Sequence, residues 1–478
     1  VPRAVLTIAS GSTGAVALPR SFFGLSTEYW GLPLFEEHPK LFDRVLRLLR
    51  VPGDGPMLLR VGGDSADHTF WAPRLRRAPR WMFRLTPRWL QQTSGVVHRL
   101  GVKLLLDLNL VTDSPARAAQ LAQIAEADEP RGSIVGFEIG NEPDLYSRRY
   151  WLKALTPTLT SEKLLPRALT ATAYVADFRS YARLLSTVAP RVTLAGPALA
   201  LPRASLRWLS DLLAGAGGSL GMVTAHSYPY SACEHHPTNS SYPTIARLLS
   251  ERASAGVAQS VEPAVRLAHR AGLKLRLDEL NSVTCSGRRG ISNTFATALW
   301  APDTLFELLR ARVDGVNMHV RATAINAPFL LTPSGLYVRP LMYGLALFTR
   351  ALGPGAQLLP ADLAAPSSPH LKAWAVRVRG NVLHVVLIDK GDSPATVLLR
   401  VPGRGAAIVE RLLAPAVSSS SGVTLNGQHL GADARWHGAP HPQRVARTRS
   451  GYEVTVAGSS AALVIIRLRV RAASYRHR

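Results

Sequence analysis

Two glutamates in this chain sit where packing alone gives little reason for them. The stretch "IVGFEIGNEPDLY", Ile134 to Tyr146, runs apolar and then stops on Asn141, Glu142 and Pro143. The stretch "LKLRLDE", beginning at Leu273, does the same and stops on Asp278 and Glu279. A buried strand that ends on a carboxylate carries a desolvation cost that needs a partner or a purpose. Either glutamate alone could simply pair with a nearby arginine. Two of them at matching strand ends offer more. One carboxylic acid to protonate a leaving oxygen and one carboxylate to attack an anomeric carbon are what glycosidic bond cleavage requires. Other apolar runs end on polar groups too: Glu28, Asp64 within "GGDSAD", Asn109, His226 to Tyr228, and Asn317 with His319.

These residues have to be positioned by something. From about Ser21 to Thr349, short β-rich runs alternate with longer amphipathic segments rich in Ala, Leu and Arg. The strand candidates begin at Phe22, Leu58, Val102, Ile134, Val192, Met222, Leu273 and Val313, and helix-compatible stretches such as "LRWLSDLLAGAG" separate them. Continuous apolar strands alternating with helices predict a buried parallel sheet. About eight such units fit a (β/α)8 TIM barrel, whose reactive groups gather at the C-terminal ends of its strands. A doubly wound sheet competes, but no glycine-rich dinucleotide fingerprint follows the first strand. After about Leu352 the pattern becomes alternating β between Gly, Pro and Ser turns, which predicts an all-β sandwich. The N-terminal "AVLTIAS" and "AVALP" read as short strands that join it. The expected division is residues 19–350 as the α/β barrel, with 1–18 plus 351–478 as the sandwich.

Composition bounds the partners. The chain has 478 residues, 47% hydrophobic and 18% charged, as a globular protein with a large core does. No apolar run is long enough to span a membrane. The opening "VPRAVLTIAS" lacks a basic head and apolar core, so the expectation is either a cytoplasmic chain or one whose leader has been removed. The formal net charge of +24 would attract polyanions. The basic residues are nevertheless scattered, with short clusters at Arg74 to Arg80 and in the C-terminal "RLRVRAASYRHR". Neither a nucleic-acid-binding signature nor an aromatic-basic platform accompanies them. Two cysteines, Cys233 and Cys285, have no metal-ligand spacing around them and leave open either two thiols or one bridge.

Several motifs together resemble glycoside hydrolase family 79, which contains β-glucuronidases and heparanases. They are "LLRVGGDSAD", "FEIGNEP", "AHSYPYSAC", "DELNSVTCSG" followed by "ISNTFATALWAPDTLF", and "RPLMYGLALF". The resemblance covers essentially the whole chain and implies a retaining enzyme with no metal and no organic cofactor. It implies Glu142 as acid/base, Glu279 as nucleophile and Asn141 as the ligand of the sugar 2-hydroxyl. Glu28, Asp64, His226 and Tyr228 would line the sugar subsite. The turn through Cys285, Ser286 and Gly287 would receive a uronate carboxylate on its backbone N–H groups. Cys233 and Cys285 would then be bridged to brace that turn, which fits a secreted, periplasmic or extracellular protein. Asn326 stands before Pro328 where relatives often carry a Tyr, so Tyr337 or an arginine such as Arg321 would have to make up that contact. The expected partner is a uronic-acid-containing carbohydrate, cleaved from a chain end. Endo-cleavage of an acidic polysaccharide and non-catalytic polyanion binding are the rivals.

Overall fold

The computed structural model describes residues 3–8, 13–79, 81–146 and 169–469. Arg80 and the part of the C-terminal basic run beyond Arg469 lie outside the described residues. All eight expected strands form one closed parallel barrel. They are β1 (Phe23–Glu28), β2 (Leu58–Gly62), β3 (Lys103–Leu108), β4 (Ile134–Ile139), β5 (Thr193–Leu199), β6 (Leu220–Ser227), β7 (Lys274–Leu280) and β8 (Gly315–His319). Each pairs with the next in sequence, and β8 closes on β1.

Strand alternation sorts these side chains into two environments. Leu59, Val61, Leu104 and Leu106 point outward into the main core under the helices. Their neighbours Leu58 and Leu105 point inward and, with Ala195, plug the bottom of the barrel. Burying each such side chain contributes about 1.5–3 kcal/mol. One layer higher, the same inward positions carry Arg60, Asp107, Glu138 and Asp278, all buried. The register places Asp107 beside Glu138 and His226 beside Glu279. The barrel therefore has an apolar floor and a charged middle under its mouth.

The sandwich consists of two sheets. The smaller has the order Ala361–Ala364, Arg3–Ile8, Ala395–Arg400, Tyr452–Val456, so the N-terminal strand lies inside the C-terminal module. In the larger sheet, Val382–Asp389 shows how both faces are used. Leu383, Val385 and Leu387 face the smaller sheet, while Val386 and Ile388 join the barrel core. Trp374 stacks on Phe306 at 5.5 Å, and its indole N–H donates to Asp303 Oδ1 at 2.9 Å. Lys390 forms a buried ion pair with the same Asp303. Removing one partner of such a pair leaves a buried charge, so this contact ties the sandwich to the barrel helix Ala296–Arg310.

At the opposite end of the barrel, Glu129 follows the helix Pro115–Asp128, and both its buried carboxyl oxygens lack a hydrogen bond among the described residues. Burial, with Asp128 adding repulsion, pushes its pKa up to about 8. The folded state therefore holds a proton that the unfolded chain releases near pH 4.5. Stability falls as pH rises through the window between those values and is level above it. Glu129→Gln is expected to flatten this fall, gaining on the order of a few kcal/mol over the parent at pH 9 and little at pH 4. Denaturant unfolding of both proteins at the two pH values checks it. Parallel pH dependences would show that the carboxyl is ionised throughout.

Candidate active site

Glu142 follows β4 in a left-handed conformation, with φ 51° and ψ 48°. A non-glycine residue there costs roughly 1–2 kcal/mol. Two contacts hold it in place. Its N–H donates to Ala198 O at 3.1 Å, and its Oε1 meets His226 Nδ1 at 2.9 Å. Glu279, at the end of β7, has both carboxylate oxygens occupied. Arg60 Nη1 donates to Oε1 at 2.5 Å, and the Tyr228 hydroxyl donates to Oε2 at 2.8 Å. His319 Nδ1 lies 3.0 Å from the same Oε2. Glu142, His226 and Glu279 each bring one atom within 4.8 Å of the others. That trio has the donor set for a cation, but Arg60 already supplies a positive charge to Glu279 and His226 is engaged with Glu142. Gly63, with φ 74°, brings its backbone close to Glu28 and Glu279: an added Cβ would stand 3.2 Å from Glu28 Oε2 and 3.3 Å from Glu279 Oε1.

Beneath the pair, Arg60 donates from Nε to Glu138 at 2.8 Å and from Nη2 to Asp107 at 3.1 Å and Asn141 Oδ1 at 3.0 Å. One guanidinium thus orients both the Asn141 amide and the Glu279 carboxylate. Asp107 and Asp278 are pushed well above the usual carboxylate range, chiefly by burial. Glu138 is held below its ordinary value: burial opposes this, but Arg60 and a hydrogen bond from Asp278 outweigh it. The two acids at the mouth diverge. Burial raises Glu142, with Glu279 adding repulsion and His226 offsetting part of the shift. Burial would raise Glu279 too, but His319, His226 and Arg60 overcome it and hold the group well below the ordinary range. The two shifts run in opposite directions, Glu142 toward the protonated form and Glu279 toward the ionised one. That division suits acid and nucleophile.

A cavity of about 390 Å³ opens over this pair and is also lined by Asp64, Tyr228, Ser286 and Arg321. Part of its wall is the turn through Cys285, Ser286 and Gly287, with φ of 54°, 65° and 83°. Cys285 is bridged to Cys233, and Asn326 packs behind the turn through its N–H to Ser286 O and its amide to Val283 O. Tyr337 does not belong here. It lies on the hairpin Phe329–Thr332/Gly335–Val338, half-exposed, in a separate hollow with Arg289 and Arg339. The hairpin carries it away from the mouth, so the expected substitution of Tyr337 for the missing tyrosine contact is corrected. A larger 580 Å³ groove runs along the sandwich beside Trp374, where Lys372 pairs with Glu251.

With this geometry in view, comparison with known proteins places the chain. Residues 373–463 match the glycosyl hydrolase family 79 C-terminal β domain. A β-glucuronidase of Aspergillus niger is 23% identical, covering 86% of this chain and 83% of that one. The chain is a glycoside hydrolase that resembles family 79. Among solved structures, a 4-O-α-L-rhamnosyl-β-D-glucuronidase from Fusarium oxysporum aligns with a TM-score of 0.75 at 17% identity, over 97% of this chain and 99% of that one. A family 51 arabinofuranosidase from Xanthomonas axonopodis aligns with a TM-score of 0.70 at 17% identity, over 98% and 100%. At such identities these two share the fold.

The candidates Glu28, Asp64, Asn141, Glu142, His226, Tyr228, Glu279 and the 285–287 turn all come together at one barrel mouth, and Asn326, bonded to that turn, also lines the cavity. Sequence reading passed over Arg60. Its signal was a single arginine inside the apolar run "LLRV", matched by acids inside three other runs: Asp107, Glu138 and Asp278.

Proposed function

We propose that the chain is a retaining, exo-acting β-glucuronidase that releases terminal β-linked glucuronic acid from glycoconjugates or polysaccharides. The observation that carries this reading is the pair Glu142 and Glu279, with carboxyl oxygens within 4.8 Å and pKa values displaced in opposite directions. Retaining enzymes hold their two carboxyl groups about 5–5.5 Å apart, whereas inverting enzymes leave room for a water at roughly 6.5–9.5 Å. Glu279, ionised and aimed by Arg60 and Tyr228, attacks the anomeric carbon as Glu142 gives its proton to the leaving oxygen. Glu142 then takes a proton from the water that hydrolyses the glycosyl-enzyme. Asn141, fixed by Arg60, is placed to bind the 2-hydroxyl. The names of the Aspergillus and Fusarium relatives both specify a glucuronide, which supports the uronate half of the proposal.

The test is release of nitrophenol from aryl β-glucuronide, β-glucoside, β-galactoside and β-xyloside. A preference for the glucuronide is expected. Preference for a neutral sugar would retain the two-glutamate mechanism and refute the uronate assignment. No release from any of them, together with cleavage of an acidic oligosaccharide, would replace exo- with endo-action.

A further inference from the structure

The cavity has a charge problem if its substrate is an anion. Three carboxyl side chains line it, Asp64, Glu142 and Glu279. Among the described residues, one lysine or arginine lines it: Arg321. A uronate entering this space faces the ionised Glu279 and the lone pairs of the other two carboxyls, so Arg321 needs a close account.

Arg321 is held without being used up. Its guanidinium lies over the Trp30 ring at 5.4 Å, a stacking arrangement that fixes its plane. Nε is 3.9 Å from Glu28 Oε1, and Nη1 is 3.8 Å from Asp64 Oδ2. Both distances exceed a hydrogen bond. Among the described residues the guanidinium makes no side-chain hydrogen bond at all, although the side chain lines the cavity and is 36% exposed. Glu28 is fully buried and engaged through Oε2 with the Ser65 N–H, so it anchors Arg321 by charge from beneath. Asp64 is half-exposed and free to accept from a ligand. An arginine has five N–H donors arranged to grip a carboxylate in bidentate fashion. Here they remain unspent inside the site.

We infer that Arg321 is the specificity-determining residue of this enzyme, pairing with the C5 carboxylate of the sugar while Asp64 accepts from the adjacent C4 hydroxyl. The inference rests on the uronate reading above. On a pyranuronate ring the carboxylate and the 4-hydroxyl are vicinal, and a cation beside an acceptor is the complement of that edge. A neutral hexoside offers a hydroxymethyl group in place of the carboxylate. It gains nothing from the positive charge. Asn326, buried and tied to Val283 O, supplies no charge, and the other cationic candidate lining the cavity, His319, is engaged with Glu279, which leaves Arg321 for the ligand.

The test compares Arg321→Ala, Arg321→Gln and Arg321→Lys with the parent on aryl β-glucuronide and aryl β-glucoside. Loss of one charged pair is expected to lower kcat/KM on the glucuronide by about 10²-fold, mostly through KM. The loss on the glucoside is expected to be much smaller, so the ratio between the sugars collapses. Arg321→Lys should recover part of it. Inhibition by free glucuronic acid should weaken in step, while inhibition by glucose should not. Equal losses on both sugars would overturn the inference and make Arg321 a packing residue on Trp30. An unchanged ratio would overturn it in favour of the 285–287 backbone alone. A parent enzyme without glucuronide preference refutes the proposed function instead, before any variant is made. Unfolding curves that superimpose on the parent's separate these outcomes from misfolding.

Discussion

Glu279→Gln is expected to lower kcat on an aryl glycoside by on the order of 10⁵-fold, the scale seen when a covalent nucleophile is removed. The amide matches the carboxylate in shape and can still accept from Tyr228, which donates to Oε2 at 2.8 Å. It cannot attack the anomeric carbon. Folding should survive, because Arg60 keeps Glu138 and Asp107 as partners at 2.8 and 3.1 Å. The role is separable from general damage by chemical rescue. In Glu279→Ala, azide can enter the vacated space and attack directly, giving a glycosyl azide of α configuration from a β-glycoside. Activity of Glu279→Gln within tenfold of the parent would remove the nucleophile assignment.

How far the sequence carried the reading depends on the kind of signal each residue gives. The eight strands were legible because a parallel sheet covered on both faces must be apolar throughout, as in "VKLLLDLN" and "MVTAHSY". Glu142 and Glu279 were legible because charge at the end of such a run has few packing explanations. The sandwich was legible from alternation, and even its N-terminal strand from having no place in the barrel. Arg60 was missed for an instructive reason. A charged residue in mid-strand reads as a flaw in the pattern until its partners are found, and those partners, Glu138 and Glu279, lie 78 and 219 residues away. Only the barrel register brings them together. Tyr337 failed in the opposite way. A tyrosine a few residues downstream of Asn326 is near in sequence, but the intervening hairpin turns it out of the cavity. The unspent guanidinium of Arg321 is likewise a property of distances, and no spacing in the chain encodes it.

Removal of the other glutamate should leave a different signature. Glu142→Ala is expected to lower kcat/KM by about 10²–10⁴-fold where the leaving alcohol needs a proton, the range for loss of a positioned general acid. On a dinitrophenyl glycoside, whose leaving group departs unassisted, the first step should be nearly spared. The second step then limits turnover, since no base activates water, and added azide should accelerate it to give a product of β configuration. The pH profile gives an independent check. In the proposed mechanism, activity needs Glu142 protonated and Glu279 ionised, so kcat/KM is expected to fall as pH rises through the raised value of Glu142. It falls again as pH drops through the lowered value of Glu279. The two shifts open a plateau between the limbs. Glu142→Ala should erase the alkaline limb and keep the acid one. If the alkaline limb persists in the variant, the proton comes from another group, and His226, 2.9 Å from Glu142 and 3.8 Å from Glu279, is the side chain placed to supply it.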